Sequence, residues 1–109
     1  MRAVGMLMSC GATALIAFDD LLAQGVMAGL ATIGIRVPKD MSVIGCDNLV
    51  ASRTYPPLTS IESGASQTGT LAVDLLLQQA EKETRIVTDS YLVVRSTTGE
   101  RILSGEPGV

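Results

Sequence analysis

Two short apolar runs, in which polar and apolar residues do not alternate, constrain the fold of this 109-residue chain more than any other feature. They occupy residues 14–18 and 42–46, and a stretch with apolar residues at helical spacing lies between them. Strands that are buried on both faces show such continuous runs. Strands that alternate with helices form parallel sheets, because the helix carries the chain back to its starting edge. The sequence therefore predicts an α/β fold with a parallel sheet flanked by helices.

The remaining segments extend this alternation. The apolar residues before Gly11 are typical of the last turns of a helix, and Asp20, with Asp19 as a second candidate, is expected to cap the helix that Gly34 ends. The further predicted segments are a loop over 48–57, an extended piece over 58–61, a helix that starts at Ser63 or Ser66 and runs to the charged residues 81–83, and a strand region over 86–94. The polar tail beyond Arg101 is expected to be disordered.

Charge and residue content argue against several classes of function. The net charge is −3 and Lys and Arg are nowhere clustered, so direct binding of DNA or RNA by these residues is not expected. The chain has no His, no Gly-x-Ser-x-Gly motif, no phosphate loop and no residues at metal-ligand spacing. We therefore predict no catalytic residue, no metal and no cofactor. Cys10 and Cys46 each lie beside a glycine and an apolar run, which favours buried free thiols.

The apolar start of the chain admits two interpretations. An early Arg and a run of apolar and small residues are typical of a signal peptide, but Asp19 and Asp20 follow at once and residues 14–18 fit a strand better. No apolar run reaches the roughly 20 residues that a transmembrane helix needs. We expect no membrane partner and a cytoplasmic location.

Acidic residues follow both predicted parallel strands. Ligands of open parallel sheets bind outside the carboxyl ends of the strands, which places Asp19 and Asp47 at one edge. Two carboxylates beside the amide of Asn48 suit a polyhydroxylated ligand or one with an amino group. Two structural alternatives stay open: Asp20, and with it Asp19, could serve only as a helix cap, and Asp47-Asn48 could be an ordinary turn. A carboxylate pair could also perform acid–base catalysis, a third and weaker alternative.

The stretch TALIAFDDLLAQGVMAGLATIGIRVPKDMSVIGCDN, followed by PPLTSI and YLVVRST, resembles the LacI/GalR family of bacterial transcriptional repressors. The similarity covers residues 12–98 and corresponds to the C-terminal part of the family's effector-binding domain. It implies part of a periplasmic-binding-protein-like type I fold, mostly the C-terminal lobe. The implied segments are residues 1–62 in that lobe, 63–85 as a helix that would pack on an absent N-terminal lobe, 86–98 as a returning strand and 99–109 as a flexible tail.

The resemblance also implies site residues and partners. Asp47 matches the family's cleft aspartate, Asp19 stands where many members have Asn, and Ser63 stands where members often have Gln. These three residues are the expected contacts of a small, sugar-like effector. A homodimer is expected through the helix over 20–33 and the loop over 49–55, and DNA binding only through a helix-turn-helix that this chain lacks. The alternatives are a periplasmic-type sugar-binding protein of the same fold and a small carboxylate-dependent enzyme.

Overall fold

A computed structural model describes residues 2–79 and 83–101 as a mixed α/β structure. The elements, in chain order, are α1 (Arg2–Ser9), β1 (Ala14–Ile16), α2 (Asp20–Thr32), β2 (Ser42–Cys46), a 3₁₀ turn (Ala51–Arg53), β3 (Thr59–Glu62), α3 (Ala65–Leu77) and β4 (Tyr91–Val93). The four strands form one sheet in the order β1-β2-β3-β4. Strands β1, β2 and β3 are parallel, which confirms the predicted α/β class. Strand β4 runs antiparallel to β3.

The core lies between α2 and the face of β2 that carries Val43. It is almost entirely aliphatic, as a chain with 3% aromatic residues requires. The buried apolar side chains are Val4, Ala17, Ala23, Met27, Leu30, Met41, Val43, Ala51 and Leu58. Helix α2 faces the core with Ala23, Met27 and Leu30, whereas Leu22 and Ile33, which the helical spacing also placed on the inner face, are each 54% exposed.

Strand β1 differs from the sequence prediction. It spans Ala14–Ile16 only, and Ala14 and Ile16 are exposed, so the expectation of a strand buried on both faces is wrong here. The reason is that β1 forms the edge of the sheet. Among the described residues, the core packs only on the face of β1 that carries Leu15. Phe18, the last residue of the apolar run, is 83% exposed.

Glycines, rather than the predicted serines, lie at the helix boundaries. Gly11 and Gly34 have φ values of +74° and +76°, left-handed conformations that end α1 and α2 as predicted. Helix α3 starts after Gly64, with φ of +71°, and neither Ser63 nor Ser66 caps it through its side chain. No residue of α3 is buried, and Leu76 and Leu77 are 78% and 76% exposed. The predicted extension of this helix through residues 80–82 lies outside the described residues.

The segment after β4 inserts between the first residues of β2 and β3. Thr97 is fully buried, and its Oγ1 donates to Val43 O at 2.6 Å and accepts from Thr59 N at 2.9 Å. Its carbonyl accepts from Val43 N at 2.8 Å. The predicted returning strand over 86–98 is therefore regular only at Tyr91–Val93, while the chain stays bonded to the sheet as far as Gly99, whose N donates to Ser42 Oγ at 3.1 Å. Residues 102–109 of the expected tail lie outside the described residues.

Gly45 is the position in β2 where a side chain has no room. A Cβ atom there would lie 2.5 Å from Asp20 Oδ1 and 2.7 Å from Leu58 Cδ2. We expect Gly45→Ala to lower the free energy of unfolding by about 1–3 kcal/mol, because it forces the buried carboxylate and Leu58 out of place. Urea denaturation measures this change. Gly25→Ala is the matched control, since nothing lies within 4 Å of its Cβ position. This helix substitution should be neutral or stabilising by up to about 1 kcal/mol. Equal stability of the two variants would contradict the prediction.

Candidate functional site

The carboxyl ends of β1, β2 and β3 form one edge of the sheet, and the three predicted site residues follow them. Asp19 comes after β1, Asp47 directly after β2 and Ser63 directly after β3. The three strands are parallel neighbours, so the structure brings these residues to the same edge, which the sequence argument had predicted for Asp19 and Asp47. Ser63 is half-buried there, and its hydroxyl makes no hydrogen bond within residues 2–79 and 83–101.

Asp47 is presented to solvent by a left-handed turn. Asp47 and Asn48 have φ values of 88° and 53°, a conformation that Asn and Asp tolerate better than other residues with side chains. The backbone N of Asp47 donates to Ile61 O at 2.9 Å, which anchors the turn to β3. The Asp47 side chain is exposed, and its carboxylate has no hydrogen-bond partner in the described part of the chain. Its acceptor atoms are thus free to bind a ligand.

The adjacent acids Asp19 and Asp20 have different tasks. Asp19 has extended backbone angles, and its Oδ1 accepts from Leu22 N at 2.7 Å, so it is the N-cap of α2. The expectation that Asp20 caps this helix is therefore wrong. Asp20 lies in the first turn and is only 3% exposed. Its Oδ2 accepts from Leu49 N at 2.9 Å and Val50 N at 3.2 Å, because the first turn of α2 directs this side chain towards the loop.

Ser60 connects Asp20 to the turn at Asp47. The Ser60 hydroxyl donates to Asp20 Oδ1 at 2.6 Å and accepts from Asn48 N at 3.1 Å. The Asn48 side chain is held from both sides: Arg95 Nη2 donates to its Oδ1 at 2.7 Å, and its Nδ2 donates to Glu62 Oε2 at 2.8 Å. Sequence reasoning missed Arg95 and Glu62. Arg95 lies in the quoted segment YLVVRST, but no local spacing links either residue to Asn48, since they lie 47 and 14 residues from it.

The pKa of the Cys46 thiol depends on the negative charge at this edge. Its pKa is raised, first by burial and then by the negative charges of Asp47, Asp20 and Asp19. The three carboxylates therefore all contribute negative potential at the end of β2. The prediction of buried thiols is wrong for Cys10, which is exposed, whereas Cys46 is half-buried. Cys10 directly follows the last residue of α1.

Across residues 2–79 and 83–101, no group of three or more His, Cys, Asp and Glu side chains is arranged to hold a metal ion. Within those ranges, no helix combines the length and the apolar character that crossing a membrane requires.

A second concave surface lies along α2, on side chains other than those of the carboxyl edge. This groove has a volume of about 670 Å³. Its lining residues are Gln24, Met27, Ala28, Ala31, Gly34, Ile35, Arg36, Val37, Thr54, Tyr55 and Pro56. It joins the body of α2 to the end of the loop over 49–55, the two segments for which the sequence predicted a dimer surface. Tyr55 at its rim is 97% exposed.

Comparison with known proteins identifies the family. The family model described as "Periplasmic binding protein-like domain" matches residues 3–98. The chain therefore belongs to this family, in its LacI/GalR branch. The HTH-type transcriptional repressor PurR of Pasteurella multocida is 39% identical over an alignment of 95 residues that covers 83% of this chain and 28% of that protein. The resemblance seen in the sequence is thereby confirmed.

Solved structures of LacI-family regulators share the fold. A LacI-type transcription regulator from Bifidobacterium animalis matches with a TM-score of 0.78 and 34% identity, over 91% of this chain and 38% of that chain. The transcriptional regulator CelR in complex with cellobiose matches with a TM-score of 0.69 and 31% identity, over 78% of this chain and 28% of that chain. The chain thus spans about 28–38% of the length of these proteins.

The exposed pair of Arg36 and Asp40 makes stability depend on pH. Arg36 Nε and Nη2 donate to the Asp40 carboxylate at 2.7 and 2.8 Å, and the side-chain and backbone hydrogen bonds from Arg36 lower the pKa of Asp40 from 3.8 to about 2. A lowered pKa in the folded state gives stability that is present above the unfolded value and is lost as the pH falls. We expect wild type to be more stable than Asp40→Asn above pH 3.8, with the difference vanishing as the pH falls towards 2.

Urea unfolding at several pH values measures this difference. The difference should also shrink in 1 M salt, since the pair is at the surface and the Debye length is then only about 3 Å. A difference between wild type and Asp40→Asn that stays constant between pH 6 and pH 2 would count against this role of the pair.

Proposed function

We propose that this chain is part of the effector-binding domain of a ligand-responsive transcriptional regulator, and that Asp47, with Asp19 and Ser63, contacts the effector. The observation that carries this proposal is the state of Asp47. Its carboxylate is free and exposed at the carboxyl edge of a parallel sheet, while the backbone that presents it is bonded to β3. A free acceptor on a fixed support is the arrangement that ligand recognition requires. The relatives of this chain are transcriptional repressors, and LacI-family regulators bind small effectors, form dimers and bind DNA.

The charge of this edge favours one class of effector. Ionised carboxylates only accept hydrogen bonds, so the effector must supply hydroxyl or amino donors. An anionic effector would be repelled by the same three carboxylates that raise the pKa of Cys46. One oxygen of Asp19 is already bonded to Leu22 N, which leaves the other for a ligand. The cellobiose of the CelR complex is a ligand rich in hydroxyl groups. A sugar or a related polyhydroxylated metabolite fits this chemistry best.

The exposed face of α3 supports a second lobe as part of this proposal. Helix α3 has no buried residue and carries two largely exposed leucines, and the relatives are about three times as long as this chain. We propose that sequence beyond these 109 residues packs on α3 and supplies the opposite wall of the cleft and the DNA-binding helix-turn-helix. This reading implies a regulator in the cytoplasm with no catalytic role.

Asp47→Asn tests the effector contact in the gene product that contains this chain. Thermal stabilisation by a panel of donor-rich probes, namely cellobiose, D-ribose and adenosine, identifies a ligand, and calorimetry then gives its affinity. We expect Asp47→Asn to weaken binding by roughly tenfold or more, because it removes a charge-assisted hydrogen bond.

Glu100→Gln is the matched control for the effector experiment. It also removes one negative charge, but it lies beside Gly99, which is bonded to the first residue of β2 at the opposite end of the sheet. We expect its affinity to equal that of wild type. Unchanged affinity in both Asp47→Asn and Asp47→Ala would contradict the assignment of Asp47.

We also propose a homodimer through α2 and the loop over 49–55. The groove along α2 is mostly apolar and open, and Tyr55 stands exposed at its rim. A two-fold axis beside the groove would place Tyr55 of each subunit against the groove of the other, since an interface of two-fold symmetry pairs the same patch on both subunits. Burying an exposed tyrosine in an apolar groove stabilises such a contact, and tyrosines are enriched at interfaces.

Tyr55→Ser tests the dimer. We expect the dissociation constant, measured by analytical ultracentrifugation, to rise by roughly 30-fold or more, since loss of a tyrosine that is a hot spot of an interface costs about 2 kcal/mol or more. Tyr91→Ser is the matched control, because Tyr91 is also exposed, at 62%, but lies on β4. Equal dissociation constants for the two variants would overturn the assignment of this surface.

A further inference from the structure

The side chain of Asn48 lies between a cation and an anion that come from distant parts of the chain. Its Oδ1 accepts from Arg95 Nη2 at 2.7 Å, and its Nδ2 donates to Glu62 Oε2 at 2.8 Å. Each half of the amide thus meets the partner that matches it, an acceptor facing a donor and a donor facing an acceptor. The contact fixes the orientation of this amide. We call these three residues the Asn48 clamp.

The clamp stabilises a turn whose backbone conformation is unfavourable without support. Asp47 and Asn48 both have positive φ values, 88° and 53°, in a region that L-residues other than glycine rarely occupy. Two hydrogen bonds donated by backbone amides support the turn, from Asp47 N to Ile61 O at 2.9 Å and from Asn48 N to Ser60 Oγ at 3.1 Å. The clamp supplies the only hydrogen bonds of the Asn48 side chain within the described ranges. The direction of the Asp47 carboxylate depends on these contacts, because it makes none of its own.

The two outer members of the clamp are themselves fixed. Arg95 Nη1 donates to Leu58 O at 2.8 Å, and Arg95 N donates to Thr59 Oγ1 at 2.9 Å. Glu62 ends β3, and its Oε1 accepts from the backbone N of Gly64, the residue before α3, at 3.2 Å. The clamp therefore joins the Asp47 turn to the segment that leads into α3 and to the segment that follows β4. A guanidinium with two separate acceptors is a directional support that a lysine could not replace.

We propose that Arg95 and Glu62 are positioning residues that act through Asn48 to hold the Asp47 turn in the shape that binds the effector. They need not touch the effector. The part of this inference that concerns effector affinity rests on the proposed function, whereas the part that concerns the shape of the turn does not.

Asn48→Asp and its combination with Glu62→Gln test the clamp. Asn48→Asp keeps the acceptor for Arg95 but replaces the donor to Glu62 with a second carboxylate, so the two groups repel. Adding Glu62→Gln restores a donor facing an acceptor. Glu62→Gln alone has one acceptor oxygen for two donors, Asn48 Nδ2 and Gly64 N, so we expect it to lose part of the support of the turn. We expect rescue of the first substitution by the second, which a merely destabilising effect at each site would not produce.

Hydrogen exchange without ligand is the first measurement. The amides of Asp47 and Asn48 should exchange about tenfold faster in Asn48→Asp than in wild type, and near the wild-type rate in the double variant. The amide of Val43, bonded to Thr97 O at the other end of β2, is the internal reference and should not change. Unchanged exchange at residues 47 and 48 in Asn48→Asp, or a double variant no slower than the single one, would overturn the proposal.

Affinity for the probe that binds wild type best, among cellobiose, D-ribose and adenosine, is the second measurement. It should fall about tenfold in Asn48→Asp and recover in the double variant. Arg95→Lys should lose affinity without recovery by Glu62→Gln, because lysine lacks the two-pronged contact. If Arg95→Lys does not fold, Asn48→Gly replaces it, because glycine removes the clamp but tolerates positive φ. Asn48→Gly should show the same fast exchange and weak binding. Exchange at the wild-type rate in Asn48→Gly would contradict the proposal.

The two measurements separate failure of the clamp from failure of the proposed function. If Asp47→Asn leaves probe binding unchanged while Asn48→Asp accelerates exchange and Glu62→Gln reverses it, the effector assignment is wrong and the clamp stands. If Asp47→Asn weakens binding while Asn48→Asp changes neither exchange nor affinity, the clamp is wrong and the effector assignment stands.

Discussion

The buried carboxylate of Asp20 is the interaction on which the rest of the structure depends. It accepts from the backbone N of Leu49 and Val50 and from the Ser60 hydroxyl, so one side chain joins α2, the loop after β2 and β3. A buried acid is stable only when its acceptor sites are filled, and removal of its partners would be costly. Gly45 makes room for it, since any side chain there would collide with Asp20. The small residue in β2 and the acid in α2 are therefore one structural unit.

Ser60 extends this unit from the core to the surface. A hydroxyl can donate and accept at once, and Ser60 uses both functions, donating to Asp20 and accepting from Asn48 N. The turn at Asp47 is thus attached to the core by a chain of three hydrogen-bonded residues. Every polar group along this chain has a partner until Asp47 is reached, whose carboxylate has none among the described residues. The contrast between a satisfied support and a free tip is the physical basis for assigning a ligand to this edge.

The sequence predicted the parts of this arrangement that depend on local pattern. Apolar runs and helical spacing predicted the parallel strands, and the rule for strand ends predicted that Asp19 and Asp47 share an edge. The exchanged tasks of Asp19 and Asp20 could not be predicted, because both acids suit a helix cap and only tertiary packing decides between them. Arg95 and Glu62 were missed because their contacts with Asn48 span the sequence. The exposed face of β1 and the antiparallel β4 likewise depend on neighbours that a local pattern does not encode.

Helix α2 takes part in both candidate surfaces. Its N-cap is Asp19, at the carboxyl edge of the sheet, and its body carries Met27, Ala28 and Ala31 of the groove. Asp20 bonds its first turn to the loop that ends at Tyr55, so the second side of the groove is attached to the same carboxylate. Because a helix is rigid along its axis, a shift at Asp19 or Asp20 must either break these bonds or move both sides of the groove together. The effector contact and the subunit contact that we propose would therefore share one mechanical element, centred on two adjacent acids.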